Sequence, residues 1–174
     1  MKKKTSDYLG KAVIISLILV IVDLIGGFAH LRFASWFKWI STVILVITII
    51  IFCIQFGKEQ TEGVTFGKVF GYGFKISLFV AIMMIAYTLI SVLVIFPEFI
   101  DEVLMKARTD MEAKGGMSED NIETALGYTR KFFLPAALVF AFLGTLFFGM
   151  IGSLLGAAFT KKSEPIPTVF QDNP

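Results

Sequence analysis

Four long apolar blocks dominate the pattern of hydrophobic and polar positions along the chain. They cover residues 12–30, 36–56, 74–96 and 132–159, and the first has 19 residues. A helix of that length spans about 28 Å, close to the thickness of the hydrocarbon core of a bilayer, about 30 Å. In hydrocarbon only a helix satisfies its backbone N–H and C=O groups within its own segment. The pattern therefore predicts an all-α protein with four transmembrane helices in an antiparallel bundle, surrounded by the lipid bilayer.

Both ends of the chain are polar. The lysines at positions 2 to 4 fit a signal peptide, but the apolar stretch after them exceeds the usual length of about 7 to 15 residues. No cleavage site of small residues follows closely, so we interpret residues 12–30 as an uncleaved first span. Residues 1–162 then form a single membrane domain. Residues 163–174 contain three prolines, and we expect a disordered cytoplasmic tail.

The distribution of Lys and Arg predicts the orientation, because basic residues near span ends are retained on the cytoplasmic side. With both termini in the cytoplasm, nine Lys and Arg residues lie inside and seven lie outside. The lysine-rich start adds weight, since the first span usually dominates the orientation. We therefore predict that both termini are cytoplasmic.

Two connections carry patterns of their own. Residues 97–131, between the third and fourth spans, hold eight acidic and five basic residues, and a glycine pair at 115 and 116 interrupts their helical periodicity. Ser118 with the acids after it fits the start of a second helix. These features predict a helical hairpin outside the membrane. Before the third span, the spacing of Phe66 and Phe70 after Thr65 predicts a short interfacial helix.

Composition narrows the classes of function. The chain has 174 residues, 56% hydrophobic and 17% charged, against about 25% charged in soluble domains. A net charge of +2 argues against nucleic-acid binding.

One cysteine and one histidine cannot form a disulfide or a His/Cys metal site, and residues 63–69 only partly match a phosphate-binding loop. We therefore predict no enzyme activity and no cofactor. The outer acids fit a solvated helix surface, with weak divalent-cation binding as the alternative.

Asp23 is the sharpest signal for a functional site. It lies two residues past the midpoint of the first block, where a carboxylate costs about 2.5 to 3.5 kcal/mol on insertion scales. Ser16 and His30 lie seven residues on either side of it and share its helix face. One hypothesis is a polar pathway through Asp23, Ser16 and His30. The other is a structural pairing of Asp23 with a hydroxyl, with Gln55 or with Tyr87.

Small residues form a stripe on the fourth block. Gly149, Gly152 and Gly156 recur at helical spacing, and the last two form a G-x-x-x-G pattern. Small residues let membrane helices approach closely. We predict that this stripe is a helix-packing surface, facing either the other spans or another protein.

The chain as a whole resembles the DUF4199 family of uncharacterised bacterial membrane proteins. The resemblance rests on the lysine-rich start, on Gly26–Gly27 near the end of the first span, on residues 63–71 and on Phe96–Pro97–Glu98. The acidic outer loop and the glycine-rich last span also match. The resemblance implies a four-span protein of the bacterial inner membrane, and it implies no activity, cofactor or site residue.

Three functional hypotheses follow. The leading one is a non-enzymatic accessory or scaffolding component that binds a membrane-protein partner or forms a homo-oligomer. The second is a small oligomeric transporter or channel whose polar path includes Asp23. An enzyme that acts on lipid or lipid-linked substrates is the third.

Overall fold

The computed structural model describes residues 5–60 and 64–160, and the predicted tail over residues 163–174 lies outside them. The described residues form five α-helices and one π-helical segment that continues the third helix. In chain order these are α1 (Thr5–Phe28), α2 (Phe37–Glu59), α3 (Phe66–Ile90), the π-helical segment (Ser91–Ile95), α4 (Phe99–Lys114) and α5 (Glu119–Phe159). The prediction of an all-α fold is confirmed.

Four of these helices are long and apolar enough to cross a membrane. The candidate spans are Asp7–Phe28, Trp39–Glu59, Phe66–Ile95 and a stretch within Glu119–Phe159. On α1 the side chains of Ile14, Leu17, Ile21 and Ile25 recur every three or four residues and are at least half exposed. Such a continuous apolar stripe is unusual on a soluble monomer, whereas lipid would cover it. The chain is thus a multi-pass membrane protein.

Two helix boundaries differ from the sequence prediction. Within residues 64–160 no separate interfacial helix precedes the third span, because Phe66 and Phe70 belong to the first turns of α3 itself. Likewise, the second outer helix does not end before the fourth span, since α5 runs for 41 residues through Pro135. In α3 no proline separates the polar and apolar parts, and in α5 the helix continues through Pro135. A proline inside a transmembrane helix is tolerated because neighbouring groups re-satisfy the freed carbonyl.

The glycines of α5 lie where this helix contacts α2 and α3. A β-carbon at Gly156 would lie 2.5 Å from the Cβ of Cys53, and one at Gly152 would lie 3.1 Å from the carbonyl oxygen of Val46. Gly149 packs in the same way against the Ser77 side chain. The three glycines therefore allow a closer approach of backbones than any other residue would permit.

The packing of α5 is uneven along its length. After Ile122, its buried residues all lie between Gly149 and Ala157. That part packs beside the end of α2, as the contact between Gly156 and Cys53 shows. The residues between 123 and 148 contain no buried side chain. The bundle is therefore tightly packed at one end, which we call the closed end, and loosely packed at the other, the open end.

A polar cluster joins α1 to α3 at the closed end. The hydroxyl of Tyr72 donates a hydrogen bond of 2.9 Å to the carboxylate of Asp7, and the ammonium of Lys11 lies 3.1 Å from the same oxygen. The ring of Tyr72 stacks on Phe56 of α2 at 4.0 Å between centroids. Three helices thus meet at Tyr72.

Ion pairs connect α4 to the start of α5, the two elements that follow the third span. Arg108 of α4 forms ion pairs with Glu112, and with Glu119 and Glu123 of α5. The hydrogen bond that Arg108 donates to Glu112, together with the nearby carboxylate charges, raises the pKa of the Arg108 guanidinium above its ordinary value. Like every arginine, Arg108 is charged at physiological pH, and its ion pairs link α4 to the first turns of α5. We call α4 and residues 119–130 the polar unit.

Substitution of Gly156 tests the close packing at the closed end. Changing Gly156→Ala should destabilise the protein by about 1–2 kcal/mol. Overpacking costs about 1–3 kcal/mol, and the better helix propensity of alanine returns part of this. Thermal unfolding in detergent measures the effect. Gly144→Ala is the matched control, because a β-carbon there meets nothing within 4 Å. Equal stability of the two variants would contradict the packing role.

Candidate functional site

Asp23 lies near the end of its span rather than near its middle. The candidate span begins at Asp7 and ends at Phe28, so it starts earlier than the apolar block alone suggested. Asp23 is five residues from that end, about 8 Å along the helix axis. This position lowers the cost of burying a carboxylate, because the penalty is largest at the bilayer centre. It also brings Asp23 within reach of the turn that follows α1.

One carboxylate oxygen of Asp23 accepts hydrogen bonds from two donors, one charged and one neutral. The guanidinium of Arg32 lies 2.5 Å from Oδ2, and the hydroxyl of Tyr87 donates to the same atom at 2.7 Å. The side chain of Arg32 is only 13% exposed, and that of Asp23 is 35% exposed. An ion pair with a second hydrogen bond offsets part of the desolvation that either charge alone would suffer. Asp23 is therefore a paired carboxylate in this structure.

The geometry of the turn after α1 carries Arg32 back onto the helix. The N–H of Leu31 bonds to the carbonyl of Gly26 at 2.8 Å, and the N–H of His30 bonds to that of Gly27 at 3.1 Å. These two bonds, together with a φ of 53° at His30, form a Schellman cap. His30 thus occupies the left-handed position where glycine is usual, and the chain reverses there. Arg32 follows two residues later.

Arg32 contacts three further groups beyond Asp23. It donates a hydrogen bond of 3.1 Å to the hydroxyl of Ser91, and its guanidinium carbon lies 4.1 Å from the ring centre of Phe96 and 5.0 Å from that of Phe99. Cations bind favourably over aromatic faces at such distances. We call Asp23, Arg32, Tyr87 and Ser91 the Asp23 cluster, and through Arg32 it joins α1 to the start of α4.

The π-helical segment places two of these partners. Its backbone bond runs from the N–H of Phe96 to the carbonyl of Ser91 at 2.8 Å, five residues apart. Such one-turn widenings within α-helices are rare and occur often at functional sites. Here the hydroxyl of Ser91 and the ring of Phe96, at the two ends of the widened turn, both contact Arg32.

Two cavities flank the carboxylate of Asp23 at the open end. One has a volume of about 280 Å³, lies between α1, α2, α3 and α5, and is lined by the hydroxyl-bearing residues Ser41, Thr42 and Thr145. The other has a volume of about 250 Å³ and also touches Arg32. Asp23 belongs to both walls. The cluster therefore stands between two largely apolar cavities, each with hydroxyl groups in its wall.

Ser16 and His30 do not contact the carboxylate of Asp23. Ser16 is 4% exposed and packs toward the closed end, and its hydroxyl has no hydrogen-bond partner among the described residues. His30 is exposed in the turn. Gln55, one of the partners considered for Asp23, is exposed near the far end of α2. Tyr87, another of those partners, does donate to Asp23.

Sequence reasoning missed Arg32 as part of this site. It counted Arg32 only as an exterior base, since Arg32 lies beyond the end of the first apolar block. The available signal was a basic residue nine positions after an intramembrane acid, across a tight turn. Residues 5–60 and 64–160 contain no group of three or more His, Cys, Asp and Glu side chains that could hold a metal ion.

A double-mutant cycle tests the Asp23–Arg32 pair. Asp23→Asn should destabilise the protein by about 1–3 kcal/mol because it leaves the guanidinium of Arg32 mostly buried and unpaired, and partial exposure keeps the cost below that of a fully buried pair. Arg32→Gln should act similarly. The double variant should be more stable than the sum of the two effects predicts, with a coupling of about 0.5–3 kcal/mol in thermal unfolding. Strictly additive effects would contradict the pairing.

No curated protein and no solved structure matches this chain. The family model described as "Protein of unknown function (DUF4199)" matches residues 8–162, and this confirms the resemblance found in the sequence. The match includes the four candidate spans except Asp7, and it includes the Asp23 cluster and the polar unit. The chain therefore belongs to the DUF4199 family.

Proposed function

We propose that this protein is a non-enzymatic accessory or scaffolding component of a bacterial inner membrane, and that its polar unit is the surface that binds a membrane-protein partner. The observation that carries the proposal is the pairing of the Asp23 carboxylate with groups that lead to the polar unit. Its carboxylate is committed to Arg32 and Tyr87, and Arg32 in turn contacts Phe99 at the start of α4. The intramembrane acid thereby serves to hold the polar unit in place.

The composition of the polar unit supports a binding role. No residue of α4 is buried, and Met105, Met117 and Tyr128 are exposed large side chains on or beside it. Exposed methionine and tyrosine are enriched where proteins bind one another. The ion pairs of Arg108 fix α4 against α5, so a partner would meet a preformed surface with little ordering cost.

The proposed topology places the polar unit outside the cytoplasm and both termini inside. The distribution of basic residues, nine inside against seven outside, supports this orientation. The partner would then be another inner-membrane protein, or a second copy of this chain, that reaches the outer face of the membrane.

Affinity purification of the full chain from native membranes in mild detergent tests the proposal. Wild type should retain a partner, or a second copy of itself, at constant ratio. Arg108→Ala should lose most of that partner while remaining in the membrane, because three carboxylates that share this arginine would then repel one another. Mass spectrometry of the purified complex measures the ratio.

Arg130→Ala is the matched control for this experiment. Arg130 belongs to the same polar unit but forms one exposed ion pair, with Asp101 at 3.2 Å, and such pairs contribute little. The control should keep the partner. Equal retention by both variants, or purification of a bare monomer from wild type, would contradict the proposal.

A second candidate function has its own support. The two cavities that share Asp23 give a small transporter or channel a route past the carboxylate, provided that Arg32 releases it. Cation or proton flux into vesicles that contain the purified protein tests this candidate. Flux that is present in wild type and lost in Asp23→Asn would favour it, and absence of flux in wild type would exclude those ions.

A further inference from the structure

A third cavity lies on the other side of Arg32, between the end of α1 and α4. Its volume is about 300 Å³. Three aromatic residues line it, Phe33, Phe96 and Phe99, together with Arg32 and with Glu98, Glu102 and Lys106 from the α4 side. The lining therefore combines apolar walls with charges of both signs.

The position of this cavity points to the headgroup layer of the membrane. The candidate spans of α1 and α3 end at Phe28 and Ile95. Most of the lining residues follow those ends: His30, Arg32 and Phe33 after α1, and Phe96, Glu98, Phe99 and Glu102 after the third span. Phospholipid headgroups occupy this depth, just beyond the hydrocarbon core.

The charges of the lining favour a zwitterionic ligand. Arg32 is already neutralised by Asp23. Among the described residues, none of Glu98, Glu102 and Lys106 forms a salt bridge. The cavity therefore offers one ammonium group for a phosphate and two carboxylates for a cation.

The aromatic faces distinguish between the two common zwitterionic headgroups. A quaternary ammonium group, as in choline, binds over aromatic faces. Here the guanidinium of Arg32 covers Phe96 and Phe99, and the ammonium of Lys106 lies 5.2 Å from the ring centre of Phe33. The cationic group of a ligand therefore has only the carboxylates to bind, and carboxylates accept hydrogen bonds. Of the two headgroups, only ethanolamine carries a primary ammonium that can donate such hydrogen bonds.

We propose that this cavity binds the phosphoethanolamine headgroup of a membrane phospholipid. The phosphate lies against Lys106, and the ammonium donates to Glu98 and Glu102. The acyl chains follow the exposed apolar side chains at the span ends, among them Phe28 and Val94, each 72% exposed. This site adjoins the proposed partner-binding surface, because Glu102, Met105 and Lys106 of α4 line the cavity.

Lipid binding to the purified full chain in detergent tests this proposal. The probes are phosphatidylethanolamine, phosphatidylcholine and phosphatidylglycerol with identical acyl chains, and glycerophosphoethanolamine, which has none. Native mass spectrometry measures the retained lipid. Wild type should bind phosphatidylethanolamine about tenfold more tightly than the other two lipids, the size expected for a hydrogen bond between charged groups. Equal retention of all three lipids would overturn the proposal, and binding of the chain-free headgroup as strong as that of the lipid would overturn the lipid assignment.

Two variants separate the roles of the charged residues. Glu98→Gln combined with Glu102→Gln should abolish the preference for ethanolamine over choline. Lys106→Gln should weaken binding of both lipids to a similar extent and leave the preference, because both carry the same phosphate. Asp110→Asn and Lys114→Gln are the matched controls, since both residues are exposed on α4 and neither lines the cavity. A preference that survives the double glutamine variant would contradict the assigned ammonium site.

Discussion

The ion pair between Asp23 and Arg32 is the contact on which the rest of the open end depends. A carboxylate in an apolar span requires a partner, and Arg32 supplies one from the following turn. The same guanidinium then bonds Ser91 and lies over Phe96 and Phe99. One charge requirement thereby positions the turn, the π-helical segment and the start of α4.

A similar cluster at the closed end fixes the register of two helices. Asp7 and Asp23 are 16 residues apart on α1, and their donors Tyr72 and Tyr87 are 15 residues apart on α3. Each aspartate is also paired with a base, Lys11 or Arg32. The two clusters therefore hold α1 and α3 side by side along most of their length. Between them the packing of α5 changes from close, glycine-mediated contacts to an open end where Asp23 borders two cavities.

The sequence predicted the helices better than it predicted their contacts. Apolar blocks of span length are a strong signal, and Ser118 does precede the first residue of α5. The prediction of a separate interfacial helix before the third span was wrong. There the residues change from polar to apolar within one continuous helix, and helical periodicity cannot detect such a change as a boundary. The partner of Asp23 depended on a left-handed His30 and on a π-helical turn at Ser91. Tertiary packing sets both of these local backbone conformations, one at a single residue and the other over one turn. Helical periodicity carries no information about either.

The central claim is that Arg32 holds the polar unit in a fixed position on the membrane bundle. Spin labels at Ile21 and Asp110, exposed positions on α1 and α4, measure it most directly when Cys53 is replaced by alanine. The distance distribution between the two labels should be narrow in wild type and should broaden in Arg32→Gln. The turn after α1 then loses the contact of Arg32 with Phe99 and keeps only those of Phe33 with Phe99 and Lys106. A distribution that Arg32→Gln leaves unchanged, or one already broad in wild type, would contradict the account.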